Sequence, residues 1–283
     1  MTNEKGKLYL VATPIGNLSD MTFRAVETLK EADLIAAEDT RNTIRLLNHF
    51  DIHTEMTSYH EHNKIEKADY LLNRLENGEN IALVTDAGTP GISDPGEELV
   101  KMCYERSLEV YSVPGAVAFV NAAVSSGQPT RRIAFEAFLP KDKKERERVL
   151  KEMAAETRTI VLYEAPHKLK KTIEELYKVL GDRELTICRE LTKLHEEKAK
   201  TTLGAAVEYY KDNDPRGEYV LVIHGKTKEE CETEAREKWE NLSVEEHVKM
   251  YEDKGMSRKD AMKEAAKDRG VRKSDIYREL NVD

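Results

Sequence analysis

Residues 81–96 read IALVTDAGTPGISDPG. Ile81–Thr85 is a continuous apolar run, the pattern of a strand covered on both faces. Asp86–Gly96 follows at once and places three glycines and two prolines in eleven residues. Asp94 and Pro95 read as the N-cap and the first residue of a following helix. A strand, a glycine-rich loop and a helix in that order make one unit of a parallel α/β sheet.

Working outward, the same rhythm recurs. Lys7–Thr13 is a β-rich run ending in Pro14, Gly16 and Asn17, and Asp20 is expected to cap a helix with apolar face Phe23, Val26 and Leu29. Leu34–Ala37 is a short strand. Ile44, Leu47 and Phe50 mark a second helix, and Ile65, Ala68, Leu72 and Leu75 a third that Gly78 stops. Glu109–Val113 is a strand ending in Pro114-Gly115. Open α/β sheets bind ligands beyond the carboxyl ends of their strands, so three glycine- and proline-marked strand ends point to one site.

The second half carries strands at Ile133–Leu139, Thr159–Tyr163, Leu185–Glu190 and Glu218–His224, with helices at Lys141–Ala154 and Leu169–Leu180, the latter closed by Gly181. This reads as a second α/β domain with a mixed sheet. Past Gly225 only helical patterns remain. Within it, Ser257–Lys273 carries seven Lys or Arg against three Asp or Glu. The expected class is therefore α/β: domains at 1–118 and 119–226, a linker within 118–130 around Ser125–Pro129, and a small helical appendix at 227–283.

Composition narrows the function. A chain of 283 residues suits two domains of this size plus an appendix. No apolar stretch of about 18 residues exists to span a bilayer. The first residues lack the apolar core of a secretory leader. Cys103, Cys188 and Cys231 form neither a disulfide framework nor a zinc spacing, so a reducing cytoplasm is expected. The net charge of −9 means that any nucleic acid must meet a local basic face.

The loop Asp86–Gly96 admits two readings. It is either a structural βα connection or a loop that lets backbone approach a ligand closely. It lacks the Gly-Lys-Ser/Thr of a phosphate loop and the glycine spacing of the dinucleotide fingerprint. Thr13–Asn17 and Val113–Ala118 end strands of the same sheet, and the second opens a helix of small residues, Ala116, Ala118, Ala122 and Ala123. Together they favour a small-molecule cofactor without phosphate.

The segments TPIGNLSDMT, AEDTR, SYHEHN, DAGTPGISDPG, VPGA, YEAPHK, RELTKLHEE and RGEYVLVIHG occur in this order. This set resembles the bacterial methyltransferases of the tetrapyrrole methylase superfamily that modify the ribose 2′-hydroxyl of a cytidine in small-subunit (16S) ribosomal RNA. The resemblance runs from residue 7 to about 225. It implies two α/β domains with S-adenosylmethionine in the cleft between them, usually in a homodimer. Carried onto this sequence, Pro14, Ile15 and Gly16 line the base of the cleft. Asp86, Ala87, Gly88 and Gly91 wrap the methionine and ribose parts. Val117 and Ala118 lie beside the ligand, and Tyr163, Glu164, Ala165 and Gly204 approach from the second domain. The family is often bulkier at the position of Gly91. S-adenosylmethionine has no phosphate, which suits glycine-rich strand ends without a basic anchor.

Methyl transfer to a hydroxyl gains from removal of its proton, so Glu38, Asp39 and His60 are the candidate catalytic groups. Glu38–Arg41 is also readable as a helix cap by Asp39 or Thr40. His60 and His62 have no third ligand at metal spacing, and no metal is expected. Glu190 and Lys193 read as a structural ion pair. Arg41 is a candidate for a flanking phosphate. Arg258, Lys259, Lys263 and Lys267 are candidate RNA contacts in the appendix, with Arg131, Arg132 and Lys141–Arg148 as an alternative face. The competing readings are a methylase acting on a tetrapyrrole, which would want a broad dry cleft and no basic tail, and a non-enzymatic RNA-binding module.

Overall fold

The computed structural model describes residues 4–93, 96–240 and 242–280; the expected Asp94–Pro95 cap lies outside them. The chain divides into two compact units, one running up to residue 154 and over 158–224, the other taking 155–157 and the chain from 225 on.

The first unit opens with β1 (Lys7–Val11), α1 (Phe23–Glu31), β2 (Leu34–Ala37), α2 (Thr40–His49), β3 (Met56–Ser58), α3 (Lys64–Glu76), β4 (Ile81–Val84), α4 (Gly96–Glu105) and β5 (Glu109–Val113). The strands form one sheet in the order β3-β2-β4-β1-β5, and every pairing is parallel. All residues of β2 and β4 are buried, because helices cover both faces. One face packs Leu8, Leu34, Leu72 and Leu99. The other packs Val11, Leu29, Ile35, Leu47 and Val84. This order sets the loops after β2, β4, β1 and β5 side by side at one edge.

Details differ from the sequence expectation: Ile65, expected on the apolar stripe of α3, is 77% exposed, its place taken by Leu71. Thr22, not Asp20, caps α1: its hydroxyl accepts from the Ala25 amide at 3.1 Å, and Asp20 closes a short 3-10 turn before it. Phe23 is 91% exposed, since the buried stripe of α1 runs through Ala25 and Leu29.

The unit continues with α5 (Ala118–Ser125), β6 (Ile133–Ala137), α6 (Lys143–Ala154), β7 (Thr159–Glu164), α7 (Pro166–Leu180), β8 (Glu184–Arg189), β9 (Glu197–Thr202), α8 (Leu203–Asp212) and β10 (Tyr219–Ile223). The second sheet is mixed, in the order β6-β7-β10-β8-β9, with only β6 and β7 parallel. Strand β9 escapes sequence reading because EKAKTT is an edge strand whose side chains face solvent. The segment expected as a linker is structured. Ala122 and Ala123 of α5 pack on Val161, Val220 and Val222 of the second sheet, an approach that small side chains permit. Beyond it Ser126 and Gln128 are buried, and the Thr186 hydroxyl donates to the Ser126 carbonyl at 2.9 Å.

The other unit holds α9 (Lys228–Glu240), α10 (Val244–Glu252), α11 (Arg258–Arg269) and α12 (Lys273–Leu280). Ser243 and Glu246 form a capping box on α10, and Gly270, left-handed at φ 64°, ends α11. Val244, Val248, Ala261, Ala265 and Ile276 form the core. Fully buried His247 stacks on Trp239 with ring centroids 4.1 Å apart. The Arg269 Nε–H donates to His247 Nδ1 at 3.1 Å, which leaves the ring proton on Nε2, 3.2 Å from Asp268 Oδ2. Burial pushes His247 below its ordinary value. Arg269 is thereby committed to the core and is not one of the free cations of the basic stretch.

Candidate active site

The site grows from one backbone contact. The loops after β1 and β4 are joined by a two-bond bridge: Thr13 N–H donates to the Gly88 carbonyl at 2.9 Å, and Gly88 N–H returns a bond to the Thr13 carbonyl at 3.1 Å. Gly88 has φ +89°, a conformation that favours glycine, and an added Cβ would stand 3.4 Å from Ile15 Cγ2. The bridged segments divide between two cavities: Ile15 and Ala87–Thr89 face one, and Thr13, Pro14, Gly16, Thr85 and Asp86 the other.

The larger cavity, about 390 Å³, lies between the two sheets of the first unit. Ile15, Ala87 and Gly88 enter it from the first sheet, Val117 and Ala118 from the start of α5, and Tyr163, Glu164 and Ala165 from the end of β7. These are eight of the thirteen residues expected at the cofactor. The Tyr163 hydroxyl accepts from the Phe119 amide at 3.1 Å and so ties the start of α5 to the second sheet. The buried Glu164 carboxylate accepts from the Ala165 amide at 2.8 Å and from the Thr172 hydroxyl, which fixes the start of α7.

Pro14, Gly16 and Asp86 line the smaller cavity instead. Gly91 and Gly204 line neither. Gly204 has a separate role: its amide donates to Asp182 Oδ1 at 2.7 Å, and an added Cβ would stand 2.9 Å from that oxygen. In their place Phe138, Cys188, Leu191, Glu218, Tyr219 and Val220 wall the larger cavity. Sequence reasoning passed over the last three because it sought carboxyl strand ends. Strand β10 runs antiparallel to β7, pairing Tyr219 with Glu164, so it brings its amino end to the site. Burial pushes the Cys188 thiol up to about 11, so it is a neutral apolar wall.

This cavity suits S-adenosylmethionine. Its volume falls within the range of about 300–1,000 Å³ usual for such ligands. Its walls are largely apolar, and its charged members among the described residues are the carboxylates Glu164 and Glu218. Among the described residues no Lys or Arg lines it, as a phosphate would require and a sulfonium would not. Glu218 is held at the rim by Lys193, whose Nζ bonds Glu218 at 2.8 Å and Glu190 at 2.9 Å.

The candidate catalytic groups gather at the neighbouring strand ends. Half-buried Glu38 follows β2, and its Oε2 accepts from the Asp86 amide at 3.3 Å. Burial is the main cause that raises the Glu38 carboxyl, against the bond from the Asp86 amide, with the Asp86 and Asp39 charges adding and His60 opposing. Asp86 is raised too, first by desolvation, against a bond from the Asn42 side chain. Asp39 is different. It caps α2 and is gripped by Arg41 at 2.7 Å, which holds it at about 2. The His60 amide donates to Asn63 Oδ1 at 2.8 Å, and its Nδ1 is buried without a partner. Among the described residues no group of three or more His, Cys, Asp or Glu is placed to hold a metal ion.

In the other unit α11 buries Ala261, Met262, Ala265 and Ala266, which leaves Lys259, Lys263 and Lys267 exposed at intervals of four on one stripe. Arg258 pairs with Glu252 at 3.9 Å and Lys267 with Glu264 at 3.7 Å.

Comparison with known proteins fits this geometry. Residues 7–207 match the family of Tetrapyrrole (Corrin/Porphyrin) Methylases. The chain belongs to this family. Among tetrapyrrole methylases it is 50% identical to "Ribosomal RNA small subunit methyltransferase I" of Halalkalibacterium halodurans, over 97% of this chain and 94% of that one. A Synechocystis protein of the same name is 48% identical over 98% and 99%. The methylase fold recurs in diphthine synthase, with a TM-score of 0.63 at 15% identity over 78% of this chain and 91% of that one. It recurs also in uroporphyrin-III C-methyl transferase from Thermus thermophilus complexed with S-adenyl homocysteine, with a TM-score of 0.54 at 20% identity over 77% and 97%. Among the described residues no helix is long and apolar enough to cross a membrane.

Proposed function

We propose that this protein is an S-adenosylmethionine-dependent methyltransferase that modifies the ribose 2′-hydroxyl of a cytidine in 16S ribosomal RNA. The observation that carries this reading is near-50% identity to small-subunit rRNA methyltransferases over almost the whole chain, appendix included. Bound in the larger cavity, S-adenosylmethionine would supply an already activated methyl group. The protein's part is then mostly positioning. Tyr163 and Glu164 fix the cavity wall, and the Gly88 bridge keeps the loops after β1 and β4 in contact.

The general base is Glu38. Its carboxyl is raised toward the working pH, whereas Asp39 is too weak a base and too firmly held. His60 stands close enough to act on Glu38 through its charge. Arg41 and the stripe Lys259, Lys263 and Lys267, with Arg258 beside it, hold RNA phosphates. The catalytic domains are 1–118 and 119–226, the protein acts as a homodimer, and its substrate is the small ribosomal subunit in the cytoplasm. The basic stripe favours RNA over a tetrapyrrole substrate.

The deciding assay offers purified small subunits, naked rRNA and a tetrapyrrole to the enzyme with labelled methyl donor. Label on one cytidine ribose is expected. Label in the tetrapyrrole and never in RNA overturns the reading. Light scattering at micromolar protein tests the dimer.

A further inference from the structure

The smaller cavity, about 240 Å³, is distinct from the one that suits the cofactor. Pro14 and Leu18 from the loop after β1, Asn42, Thr43, Arg45 and Leu46 from α2, and Asp86 after β4 enclose it. We propose that this pocket seats the cytosine base of the methylated nucleotide, with Asp86 and Arg45 as the residues that read it. The inference rests on the RNA methyltransferase reading above and adds the residues that set base specificity.

Three observations carry it. First, the volume lies below the range of drug-sized ligands, so the pocket has room for one nucleobase and not for a second cofactor. Second, the pocket shares its wall with the cofactor cavity. Thr13, Pro14, Gly16, Thr85 and Asp86 face it, while Ile15, Ala87 and Gly88 face the larger cavity. A base held here keeps its ribose within one pair of bridged segments of the methyl donor, and beside Glu38, which bonds the Asp86 amide.

Third, the polar groups match cytosine. Its pairing edge offers an exocyclic amine as donor and ring nitrogen and carbonyl oxygen as acceptors. Asp86 is a carboxylate acceptor. Arg45 is a donor, and unlike Arg41, which Asp39 holds, it has no ion-pair partner among the described residues. Leu18, Leu46 and Pro14 give the ring apolar walls. Uracil carries a carbonyl where cytosine carries the amine, so the Asp86 carboxylate would face a second acceptor. A site built to bond a polar group discriminates strongly against a ligand that lacks it.

The test uses the full-length enzyme and two forms of the RNA substrate, with cytidine or uridine at the target position. Arg45→Met is expected to raise KM for the cytidine RNA about tenfold, with Arg45→Lys recovering part of it and S-adenosylhomocysteine affinity unchanged by calorimetry. Asp86→Asn replaces an acceptor by a group that also donates, so the preference for cytidine over uridine should fall at least tenfold. Wild-type KM in Arg45→Met with wild-type preference in Asp86→Asn overturns the base pocket while leaving the rRNA reading intact. A wild-type enzyme that methylates neither RNA overturns both.

Discussion

Thr13 and Gly88 exchange two backbone hydrogen bonds, at 2.9 and 3.1 Å, across the ends of β1 and β4. The bridge extends the pairing of these neighbouring strands into their loops, where the Thr13 hydroxyl also donates to the Thr85 carbonyl at 3.2 Å, and so makes one pocket wall from both. It holds Gly88 at φ +89°, with 3.4 Å between a would-be Cβ and Ile15.

Gly88→Val should therefore weaken S-adenosylmethionine binding by at least tenfold. Holding a non-glycine residue in such a conformation costs about 1–3 kcal/mol, and the branched side chain also meets Ile15. Gly127→Ala is the matched control. Gly127 has φ +74° and nothing within 4 Å of an added Cβ, so that variant carries backbone strain without touching the cavity. Calorimetry should show lost affinity in the first and full affinity in the second. Equal affinities would remove this loop from the cofactor site.

Glu38→Gln should lower kcat by about 10²- to 10⁴-fold, the usual contribution of a positioned base, with cofactor affinity unchanged. The pH profile supplies the sign. The base works ionised, and burial, opposed by the bond from the Asp86 amide and aided by the Asp86 and Asp39 charges, raises its carboxyl above 4.5. Wild-type activity should thus fall as pH drops through that raised value, and the limb should vanish in Glu38→Gln. Asp39→Ala should mainly loosen the α2 cap, at about 1 kcal/mol of stability. An unchanged acid limb in Glu38→Gln would assign the base elsewhere.

The helical unit should weaken in mild acid. Burial holds His247 below its ordinary value of 6.5, opposed by the Asp268 bond and aided by Arg269 and Lys254. A group depressed in the folded state favours folding above its unfolded pKa. That contribution is lost as pH falls below about 6.5 toward the depressed value. Melting followed by Trp239 fluorescence, the chain's one tryptophan, should shift down between pH 7.5 and 5.5. His247→Phe, which keeps the stacking but cannot titrate, should flatten that dependence.

Legibility followed burial. Strands such as IALVT and LIAA, covered on both faces, were plain because their whole sequence is apolar. Strand β9 was not, since it is a polar edge; the helix after Val117 was read, but not its packing through small residues on a sheet far along the chain. Three parallel strand ends pointed to the cavity. Glu218, Tyr219 and Val220 stayed hidden because an antiparallel partner delivers them, a fact of pairing and not of local pattern. The division between two pockets was equally invisible. It depends on how the bridged loops split between two cavities, Asp86 turning to one and Ala87 to the other, which is settled only once Thr13 meets Gly88.

The basic stripe yields the last prediction. Lys259, Lys263 and Lys267 stand exposed on α11 at intervals of four, opposite a face of buried Ala261, Met262, Ala265 and Ala266. Among the described residues only Lys267 of the three pairs with a carboxylate, Glu264 at 3.7 Å, and an exposed pair of that kind is worth little and yields easily to a phosphate. Each phosphate neutralised releases counterions and adds about 0.7 to 0.9 to the slope of log affinity against log salt. Replacing all three lysines by glutamine should weaken binding to the small subunit and flatten that slope by about 2. Residues 227–283 removed together should do the same or more, with S-adenosylhomocysteine affinity preserved, since every residue lining its cavity lies between Ile15 and Val220. RNA affinity measured across a salt series for the wild type, the triple variant and the truncation checks this. Superimposable curves would assign the phosphate contacts to Arg41 and the Arg131, Arg132 and Lys141–Arg148 face instead, and would leave the stripe as a solvated surface over an alanine-packed helix.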